Sequence, residues 1–396
     1  MSQVPPSSSP GSGPQDASSR PQGGGGGAPA WTPELQALRE KVDSLDKEIV
    51  RLLNERASAV VRIGETKRGS GIPIYAPHRE QEVLRRVLEA NLGPLSPRTI
   101  EAVYREIMSG SFALEQPLRI GYLGPAGSFS HEAAVKHFGN SVSFEDMHEI
   151  DGVFTEVLRG HCHYGLVPIE NSAIGGVVET LDALLEHHAE IRIYAEVILN
   201  VHQALLANCE PKSIRRIHSK QEALGQCRRW LATQFPRAEL VASTSTSKAV
   251  QTAKAENILE PERGSAAIGS SLAGQLYGVN VLFEKIEDNP NNLTRFFVIS
   301  RQEARPSADD KTSMMFATAD EPGALVRVLS AFEKHGVNLT HIDKRPSGRV
   351  NWTYTFFVDA VGHRESAVLA GAIDEARAHC KELHVLGSYP RAQRVL

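Results

Sequence analysis

The sequence has few cysteines and no pattern that would build a disulfide framework or a metal site. Only four occur among 396 residues, at positions 162, 209, 227 and 380, and none forms a CxxC pair. Such wide spacing supports neither disulfides nor zinc binding. The histidines in "HCHYG" (161–165) and "HH" (187–188) have no third ligand at a usual spacing. We therefore expect no metal, and the thiol pattern fits a reducing cytoplasm.

Clustered positive charge and long apolar runs are also lacking. Lys and Arg number 43 against 47 Asp and Glu, a formal net charge of −4, and no basic block suggests a nucleic-acid surface. No apolar run approaches the roughly 18 residues of a membrane span, and residues 1–30 lack the apolar stretch of a signal peptide. We expect no nucleic-acid or membrane partner and a cytoplasmic location. Any anionic ligand must be bound by a local arrangement of residues.

The chain begins with a low-complexity tail followed by a helical segment. Residues 1–30 are almost wholly Ser, Pro, Gly, Gln and Ala, a composition that predicts disorder. From Trp31 onward, apolar residues three and four apart predict a long helix that starts at Thr32–Glu34 and stops at Gly69–Gly71. Its seam consists of Leu35, Leu38, Val42, Leu45, Ile49 and Leu52. Two further helices over 77–91 and 97–115 complete an all-α domain, residues 31–116.

The rest of the chain predicts two domains that contain strands. Short apolar runs alternate with helical stretches over 129–138, 177–187, 221–232 and 246–256, which predicts an α/β domain at 117–301. A polar linker follows at 302–311. The last segment, 312–390, has a βαββαβ order typical of an α+β ferredoxin-like fold. Its predicted elements are β 312–318, α 322–335, β 337–344, β 351–359, α 364–379 and β 382–388.

Three cations interrupt the apolar stripe of the first helix. Arg39, Arg56 and Lys67 each lie four residues after an apolar residue of this helix, respectively Leu35, Leu52 and Ile63, and a charge on a buried apolar stripe needs a partner. At about 1.5 Å per residue, Arg39 and Lys67 are roughly 42 Å apart, too far to bind one small ligand. A dimer could bring Arg39 of one chain to Arg56 and Lys67 of the other. The alternative is that the stems pack and the charged groups reach solvent.

The helical segment resembles a known enzyme family. "LREKVDSLDKEIVRLLNERASAVVRIGETK", "HRE" and "IMSGSFALE" closely resemble the all-helical chorismate mutases, intertwined homodimers that rearrange chorismate to prephenate without a cofactor. The resemblance implies an isomerase. Ala76 stands where some members have aspartate, and Glu115 where many have glutamine. The implied substrate-binding residues are Arg56, Lys67, Arg79, Glu80, Ser111 and Glu115, with Arg39 from the partner chain; Lys67 and Glu115 are the implied catalytic residues.

Polar turns in the α/β segment predict a crevice for an anionic molecule. "GPAGSFS" (124–130), "ENSAIGG" (170–176) and "STSTS" (243–247) place hydroxyls and amides before helices, whose N-termini attract anions. Each could also be ordinary capping. In "EDNPNNLTRFFVIS" (287–300), Thr294 and Arg295 stand at the start of a buried strand. A guanidinium there requires an anion, unless it caps a helix or extends to water.

The whole of 118–300 resembles prephenate dehydratase. The matching runs are "GYLGPAGSFSHEAA", "YGLVPIENSAIGGVVETLD", "SKQEALGQC", "STSTSKA" and "DNPNNLTRFFVIS". The resemblance implies a lyase with two lobes like those of periplasmic binding proteins. It also implies that Arg295 pairs with a prephenate carboxylate and that Thr294 donates a proton to the departing hydroxyl or orients the donor. The residues implied in or beside the cleft are Glu170, Asn171, Ser172, Ser219, Gln226, Thr294, Arg295 and Phe296.

The last segment resembles an ACT regulatory domain of the kind attached to prephenate dehydratases. The resemblance rests on "DEPGALVRVLSAFEKHGVNLTHIDKRPS" and "WTYTFFVDAVGH". It implies that L-phenylalanine binds as effector between two such domains, although the family's usual "ESRP" element is "DKRP" here. A purely structural dimerisation domain is the alternative. The implied effector-binding residues are Gly323, Ala324, Leu325, Val326, Asp343, Lys344, Arg345 and Pro346.

Together these segments predict a multidomain, bifunctional enzyme of L-phenylalanine biosynthesis. It would convert chorismate to prephenate and then to phenylpyruvate under feedback inhibition by L-phenylalanine, without a cofactor. One alternative is a monofunctional prephenate dehydratase whose helical domain only dimerises. Another is a non-catalytic ligand sensor, which would need neither Thr294 nor the seam cations.

Overall fold

The computed structural model describes residues 32–67, 73–346 and 354–396. The predicted tail, the predicted stop of the first helix and residues 351–353 of a predicted strand lie outside these ranges. Two units are distinguished, the first ending at Glu55 and the second running from Arg56 to Leu396. The α-helices are α1 (Pro33–Lys67), α2 (Pro77–Glu89), α3 (Pro97–Glu115), α4 (Phe129–Phe138), α5 (Ile150–Leu158), α6 (Val178–His187), α7 (Gln221–Gln226), α8 (Arg228–Gln234), α9 (Thr246–Leu259), α10 (Ser271–Tyr277), α11 (Ala324–Lys334) and α12 (Ala367–Arg377).

The strands fall into three sheets. They are β1 (Arg119–Leu123), β2 (Ser143–Met147), β3 (Tyr164–Asn171), β4 (Gly175–Gly176), β5 (Arg192–Asn200), β6 (Ala204–Leu206), β7 (Arg216–Ser219), β8 (Glu239–Ala242), β9 (Ser265–Gly269), β10 (Val281–Phe283), β11 (Leu293–Ser300), β12 (Asp310–Ala317), β13 (Leu339–Pro346), β14 (Tyr354–Val361) and β15 (Glu382–Pro390).

The three helices α1 to α3 begin where sequence signals predict. The Thr32 hydroxyl accepts a hydrogen bond from Leu35 N at 3.3 Å, and Ser96 caps α3 by accepting from Thr99 N at 3.2 Å. Ala76 precedes α2 and supplies no side-chain cap. The seam of α1 is exposed in the described chain, with its six apolar side chains between 43% and 56% accessible.

The α/β region forms two lobes, as predicted. The first sheet has the order β2-β1-β3-β11-β5, and the second β10-β6-β9-β7-β8. The chain passes into the second lobe after β5 and returns with β11, which pairs antiparallel with both β3 and β5. Strand β11 therefore lies in the middle of the first sheet although it comes last in sequence, and its first residues lie where the chain re-enters from the second lobe.

One predicted helix, over 221–232, is two helices in the structure. Cys227 departs from helical geometry between α7 and α8. The Asp288 carboxylate accepts hydrogen bonds from the backbone N–H groups of Arg229 at 2.9 Å and Trp230 at 3.1 Å. A carboxylate at this position favours a new helix start.

The last sheet has the order β13-β14-β12-β15 and is antiparallel throughout. With α11 and α12 it gives the predicted βαββαβ ferredoxin-like order. This sheet meets the first lobe, because β15 packs along β5 and the side chains of Leu386 and Tyr389 belong to the same buried core as Val197 and Phe297.

Candidate active sites

Helices α1 and α3 bring together four of the predicted mutase residues. Arg56 Nη1 donates to Ser111 Oγ at 2.7 Å, and Lys67 Nζ donates to Glu115 Oε2 at 3.0 Å. The Glu115 side chain is only 9% exposed. Close approach of the helices depends on Gly64, where an added Cβ would lie 3.1 Å from Glu115 Cγ. The result is a compact group of two cations, a hydroxyl and a carboxylate.

The other predicted mutase residues have different surroundings. Arg79 Nη1 donates to Glu82 at 2.5 Å, and Arg39 is exposed in the first unit. Glu80 lines a cavity of about 730 Å³ together with His137 and Arg394. Among the described residues, no hydrogen bond or ion pair joins Arg79 or Glu80 to the Arg56–Ser111 and Lys67–Glu115 pairs.

The cavity beside Glu80 perturbs two titratable groups in opposite directions. Burial raises the pKa of Glu80 to about 7, although the Arg394 cation acts against this. Burial lowers the pKa of His137 to about 4. The His137 Nε2 atom is 2.6 Å from the Tyr75 hydroxyl. Both shifts favour the uncharged form, as expected where charge is poorly solvated.

Asn171 fixes the hydrogen bonding of Thr294 in the predicted dehydratase site. Asn171 Oδ1 accepts from the backbone N–H groups of Ala173 at 2.9 Å and Ile174 at 3.2 Å, so its Nδ2 must face the other way. That Nδ2 donates to Thr294 Oγ1 at 2.8 Å. Thr294 therefore accepts from Asn171, and among the described residues its own O–H has no acceptor. The hydroxyl proton is left available to a ligand.

A chain of amide side chains continues from Asn171 into the second lobe. Asn171 Nδ2 also donates to Asn292 Oδ1 at 2.9 Å, and Asn292 Nδ2 donates to Gln226 Oε1 at 3.1 Å. Gln203 Nε2 donates to the same Gln226 oxygen at 3.1 Å. Gln226 thus keeps its Nε2 as a donor. Sequence reasoning missed Asn292 and Gln203, although Asn292 lies within the quoted "NPNNL" run.

The remaining predicted dehydratase residues have different surroundings. The Ser172 hydroxyl bridges to the strand that carries Thr294, since it donates to Asn291 O at 3.1 Å and accepts from Leu293 N at 2.9 Å. Ser219 is fully buried and donates to Ile268 O at 2.8 Å. Phe296 is 1% exposed and packs in the core. Glu170 is 3.4 Å from His341 on β13.

Arg295 differs most from its prediction. Its guanidinium is only 11% exposed and is already engaged by two carboxylates, with Nε 2.6 Å from Glu196 and Nη2 2.5 Å from Asp359. The pairing with a prephenate carboxylate is not what the geometry supports, because both anionic partners come from this chain.

The polar turns divide between capping and contact between the lobes. Ser128 caps α4 by accepting from His131 N at 3.2 Å, and Ser245 caps α9 by accepting from Lys248 N at 3.0 Å. The Ser270 hydroxyl donates to Gly127 O, and the Tyr277 hydroxyl to Ala126 O, both at 2.7 Å. Contacts between the turn after β1 and α10 therefore tie the first lobe to the second.

The two predicted effector elements lie on α11 and β13. Gly323 precedes α11 with φ 79°, a left-handed conformation that favours glycine, and Val326 is 63% exposed. Residues 324 and 325 occupy the first turn of α11, and 346 ends β13. Arg345 donates to both oxygens of Asp182 on α6, each at 2.7 Å. Lys344 lies over the Tyr354 ring at 4.9 Å.

Three surface side chains that could each bind a metal ion lie close together. Asp151, Glu186 and His187 have potential ligand atoms within 4.8 Å of one another, and His187 Nε2 is 2.8 Å from Asp151 Oδ1. Exposed acidic groups of this kind are common without an ion, and we assign no site there. Among the described residues, none of the helices has the length and apolar character needed to span a bilayer.

Three families match consecutive parts of the chain. Residues 38–116 match chorismate mutase type II, 120–304 match prephenate dehydratase, and 314–378 match the ACT domain. A bifunctional chorismate mutase/prephenate dehydratase from Stutzerimonas stutzeri is 44% identical over 366 residues, covering 91% of this chain and 98% of that protein. The chain belongs to the bifunctional chorismate mutase/prephenate dehydratases. The predicted family and fold classes are thereby confirmed.

Another member and a solved structure agree with this assignment. The bifunctional chorismate mutase/prephenate dehydratase of Escherichia coli (strain K12) is 31% identical over 379 residues, covering 90% of this chain and 96% of that protein. The crystal structure of the Arthrobacter aurescens prephenate dehydratase in complex with L-Phe superposes with a TM-score of 0.64. It is 33% identical and covers 69% of this chain and 90% of that one.

Proposed function

We propose that this bifunctional chorismate mutase/prephenate dehydratase converts chorismate to prephenate at the Arg56–Glu115 group and prephenate to phenylpyruvate at Thr294. The observation that carries the assignment of the second site is the orientation of Asn171, which leaves the Thr294 proton free. The domains proposed to hold these activities are residues 31–116 and 117–301, with a linker at 302–311 and the regulatory domain at 312–390.

In the dehydratase reaction the substrate loses its ring carboxylate and its ring hydroxyl together. The C–C bond to the carboxylate breaks to release carbon dioxide, its electron pair enters the ring, and the C–O bond breaks as the ring becomes aromatic. Thr294 donates a hydrogen bond to the departing oxygen and assists its protonation to water, with solvent restoring the proton. The free Gln226 Nε2 is suited to bind a substrate carboxylate.

In the mutase reaction no covalent step by the protein is needed. Arg56 and Lys67 bind the substrate carboxylates and hold a compact conformer, while negative charge grows on the oxygen of the breaking ether bond. Glu115 lies 3.0 Å from Lys67, so the two can act on one oxygen. When protonated, Glu115 donates to this oxygen; when ionised, it repels the growing charge.

Supplying purified protein with chorismate tests both sites at once, since phenylpyruvate appears only if both work. Thr294→Ala should consume chorismate and accumulate prephenate. Lys67→Ala should leave chorismate intact and still convert added prephenate. If chorismate were untouched by the parent, the helical domain would serve dimerisation only. If Thr294→Ala kept prephenate turnover within about threefold, below about 0.7 kcal/mol of barrier, Thr294 would have no catalytic role.

We propose a homodimer in which the seam of α1 is covered by a second copy. Six apolar side chains along Leu35–Leu52 are about half exposed in the described chain, an unusual stripe for an isolated helix. The dimer would supply Arg39 from the partner subunit to the mutase group. Leu45→Lys with Ile49→Lys should give a monomer by sedimentation and lose mutase but not dehydratase activity. Leu92→Lys, at a 97% exposed position outside the seam, is the control and should stay dimeric.

We propose that this enzyme is cytoplasmic and that L-phenylalanine inhibits its dehydratase activity. The proposed binding site for L-phenylalanine is at the start of α11. The Arthrobacter aurescens structure contains L-Phe, and Val326, in the first turn of α11, is 63% exposed. Val326→Glu in the full chain should keep turnover and raise the phenylalanine concentration for half inhibition at least tenfold. Unchanged inhibition that competes with prephenate would instead place phenylalanine in the catalytic cleft.

A further inference from the structure

Four charged side chains form a buried cluster where the dehydratase sheet meets the ACT sheet. This cluster, hereafter the Arg295 cluster, consists of Glu196, Arg295, Lys311 and Asp359. Glu196 Oε1 accepts from Arg295 Nε at 2.6 Å and from Lys311 Nζ at 2.8 Å, and Arg295 Nη2 is 2.5 Å from Asp359 Oδ2. None of these side chains is more than 11% exposed. Two cations and two anions balance each other with almost no help from water.

Neutral groups add further hydrogen bonds to the cluster. Ser313 Oγ donates to Asp359 Oδ1 at 2.5 Å and is 2.6 Å from the Tyr389 hydroxyl, which is 3.3 Å from Arg295 Nη2. The backbone N–H of Ala392 donates to the other Glu196 oxygen at 3.0 Å. A network in which each charge is paired is rigid, and removing one member leaves another uncompensated.

The two cations outweigh burial at Glu196. Burial alone would raise its pKa, but Arg295 and Lys311 hold the pKa below its ordinary value, so the carboxylate stays ionised. Ala392, beyond the end of β15, also donates to it. The network is thus built to keep its charges, and it joins β5 and β11 of the dehydratase to β12 and β14 of the ACT sheet.

The cluster lies one residue from the proposed catalytic hydroxyl. Thr294 pairs with Asn171 on β3 and Leu199 on β5, and the pairing of β11 with β3 becomes irregular between Arg295 and Phe296. The pairing with β5 stays in register there, so the irregular step loosens β11 only on the side of β3, where Asn171 lies, and the side chain of Arg295 adds an anchor at that step. A shift of the backbone at Arg295 would move Thr294 relative to Asn171.

We propose that Arg295 is a positioning residue for Thr294 and that Asp359 and Lys311, on strands β14 and β12 of the ACT sheet, hold it in place. The dehydratase site is then complete only when the ACT sheet is docked on β5. The inference rests on the proposed role of Thr294 and adds to it a requirement supplied by another domain. A merely structural ion network would stabilise the junction without changing turnover.

The test compares Asp359→Asn with Asp182→Asn in the full chain, well below the unfolding temperature. Both variants remove one carboxylate charge that joins the ACT and dehydratase domains, but the Arg345–Asp182 pair does not touch β11. Asp359→Asn should lower dehydratase kcat at least tenfold with KM within about twofold, whereas Asp182→Asn should leave kcat unchanged. Unchanged kcat in Asp359→Asn, or equal losses in both variants, would overturn the inference.

Further variants keep the test decisive. Arg295→Lys keeps the charge but can reach only one of the two carboxylates, so it should recover only part of the kcat that Arg295→Met loses; full recovery by the lysine would refute positioning through the contact with Asp359. Mutase activity of the same samples reports folding. If Asp359→Asn does not fold, Lys311→Met decides by the same kcat criterion. Thr294→Ala in the same series separates the two claims, because an active Thr294→Ala refutes the role of Thr294 itself.

Discussion

Replacing Asn171 by aspartate reverses the hydrogen bond on which the dehydratase proposal depends. In the parent, Asn171 Nδ2 donates to Thr294 Oγ1 at 2.8 Å, so the Thr294 proton is free. A carboxylate of the same shape keeps both backbone donors, Ala173 N and Ile174 N, on one oxygen. Its other oxygen has no proton to give. Thr294 must then donate its proton to the introduced carboxylate rather than to the substrate.

The size of the effect follows from the strength of that new bond. A hydrogen bond to a charged group contributes about 1.5–3 kcal/mol, and each 1.36 kcal/mol corresponds to tenfold in rate. Freeing the Thr294 proton in the transition state should therefore cost about 10- to 150-fold in kcat for Asn171→Asp. The amides of Asn292 and Gln226 would also have to turn over, since Asn292 Oδ1 now faces a carboxylate. Gln226 would lose its free Nε2, which should raise KM.

Initial rates of phenylpyruvate formation from prephenate give kcat and KM, and chorismate consumption by the same sample gives the control. Asn171→Ala removes the amide without supplying an acceptor, so it should lose less kcat than Asn171→Asp. An aspartate variant that kept more than a third of the parent kcat, or that lost no more than the alanine variant, would refute the reasoning.

The remaining predictions concern pH, helix α2 and Glu115. The pKa of His137 is lowered to about 4, so as pH falls the unfolded chain takes up a proton at this histidine before the folded chain does. Between pH 7 and 4 the free energy of unfolding of the parent, measured by urea denaturation, should therefore fall by roughly 3 kcal/mol more than that of His137→Gln. The pKa of Glu80 is raised to about 7, so as pH rises the unfolded chain loses this proton before the folded chain does. The free energy of unfolding of the parent should fall by roughly 3 kcal/mol between pH 4.5 and 7, and Glu80→Gln should not show this fall. For either residue, a difference in free energy of unfolding between parent and variant that stayed constant with pH would show that the side chain does not titrate as described. Ala76→Asp adds the missing side-chain cap of α2 and should raise the free energy of unfolding by about 1 kcal/mol, measured by thermal unfolding. It should also raise mutase kcat/KM. Ala76→Val, which supplies no cap, is the control. Glu115→Gln, still within reach of Lys67, supplies a neutral amide donor and should keep mutase kcat/KM at or above that of the parent, whereas Glu115→Leu supplies no donor and should lower it. Equal rates in the two variants would exclude position 115 as the donor.

Local patterns predicted the elements of the fold well. Apolar spacing gave the helix over 129–138 with both ends as observed, and the βαββαβ order of the last domain is confirmed. The helix predicted over 221–232 was wrong because its interruption is set by Asp288, far along the chain, which caps the second piece. No local pattern contains that contact.

The sites were predicted through residues whose chemistry stands out from their neighbours. Thr294 before an apolar strand and Gln226 within a quoted motif are both found in the amide chain. Asn292 and Gln203 were missed because an asparagine in a Pro/Asn-rich turn and a glutamine after a strand are ordinary there. Only their burial, 2% exposed each, and their shared partner identify them.

Arg295 shows how far a buried cation can be interpreted from sequence. Burying an unpaired guanidinium costs several kcal/mol, so the position of Arg295 in a core strand indicated either an anion or an escape to a helix end or solvent, and the resemblance implied a prephenate carboxylate as the anion. The anions are Glu196 and Asp359, and the second belongs to another domain. A chain ending at Arg301 would keep Glu196 and lose both Lys311 and Asp359. Turnover and inhibition would then be lost together, so removal of the ACT domain cannot locate the effector site, and phenylalanine inhibition has to be measured in the full chain with Val326→Glu.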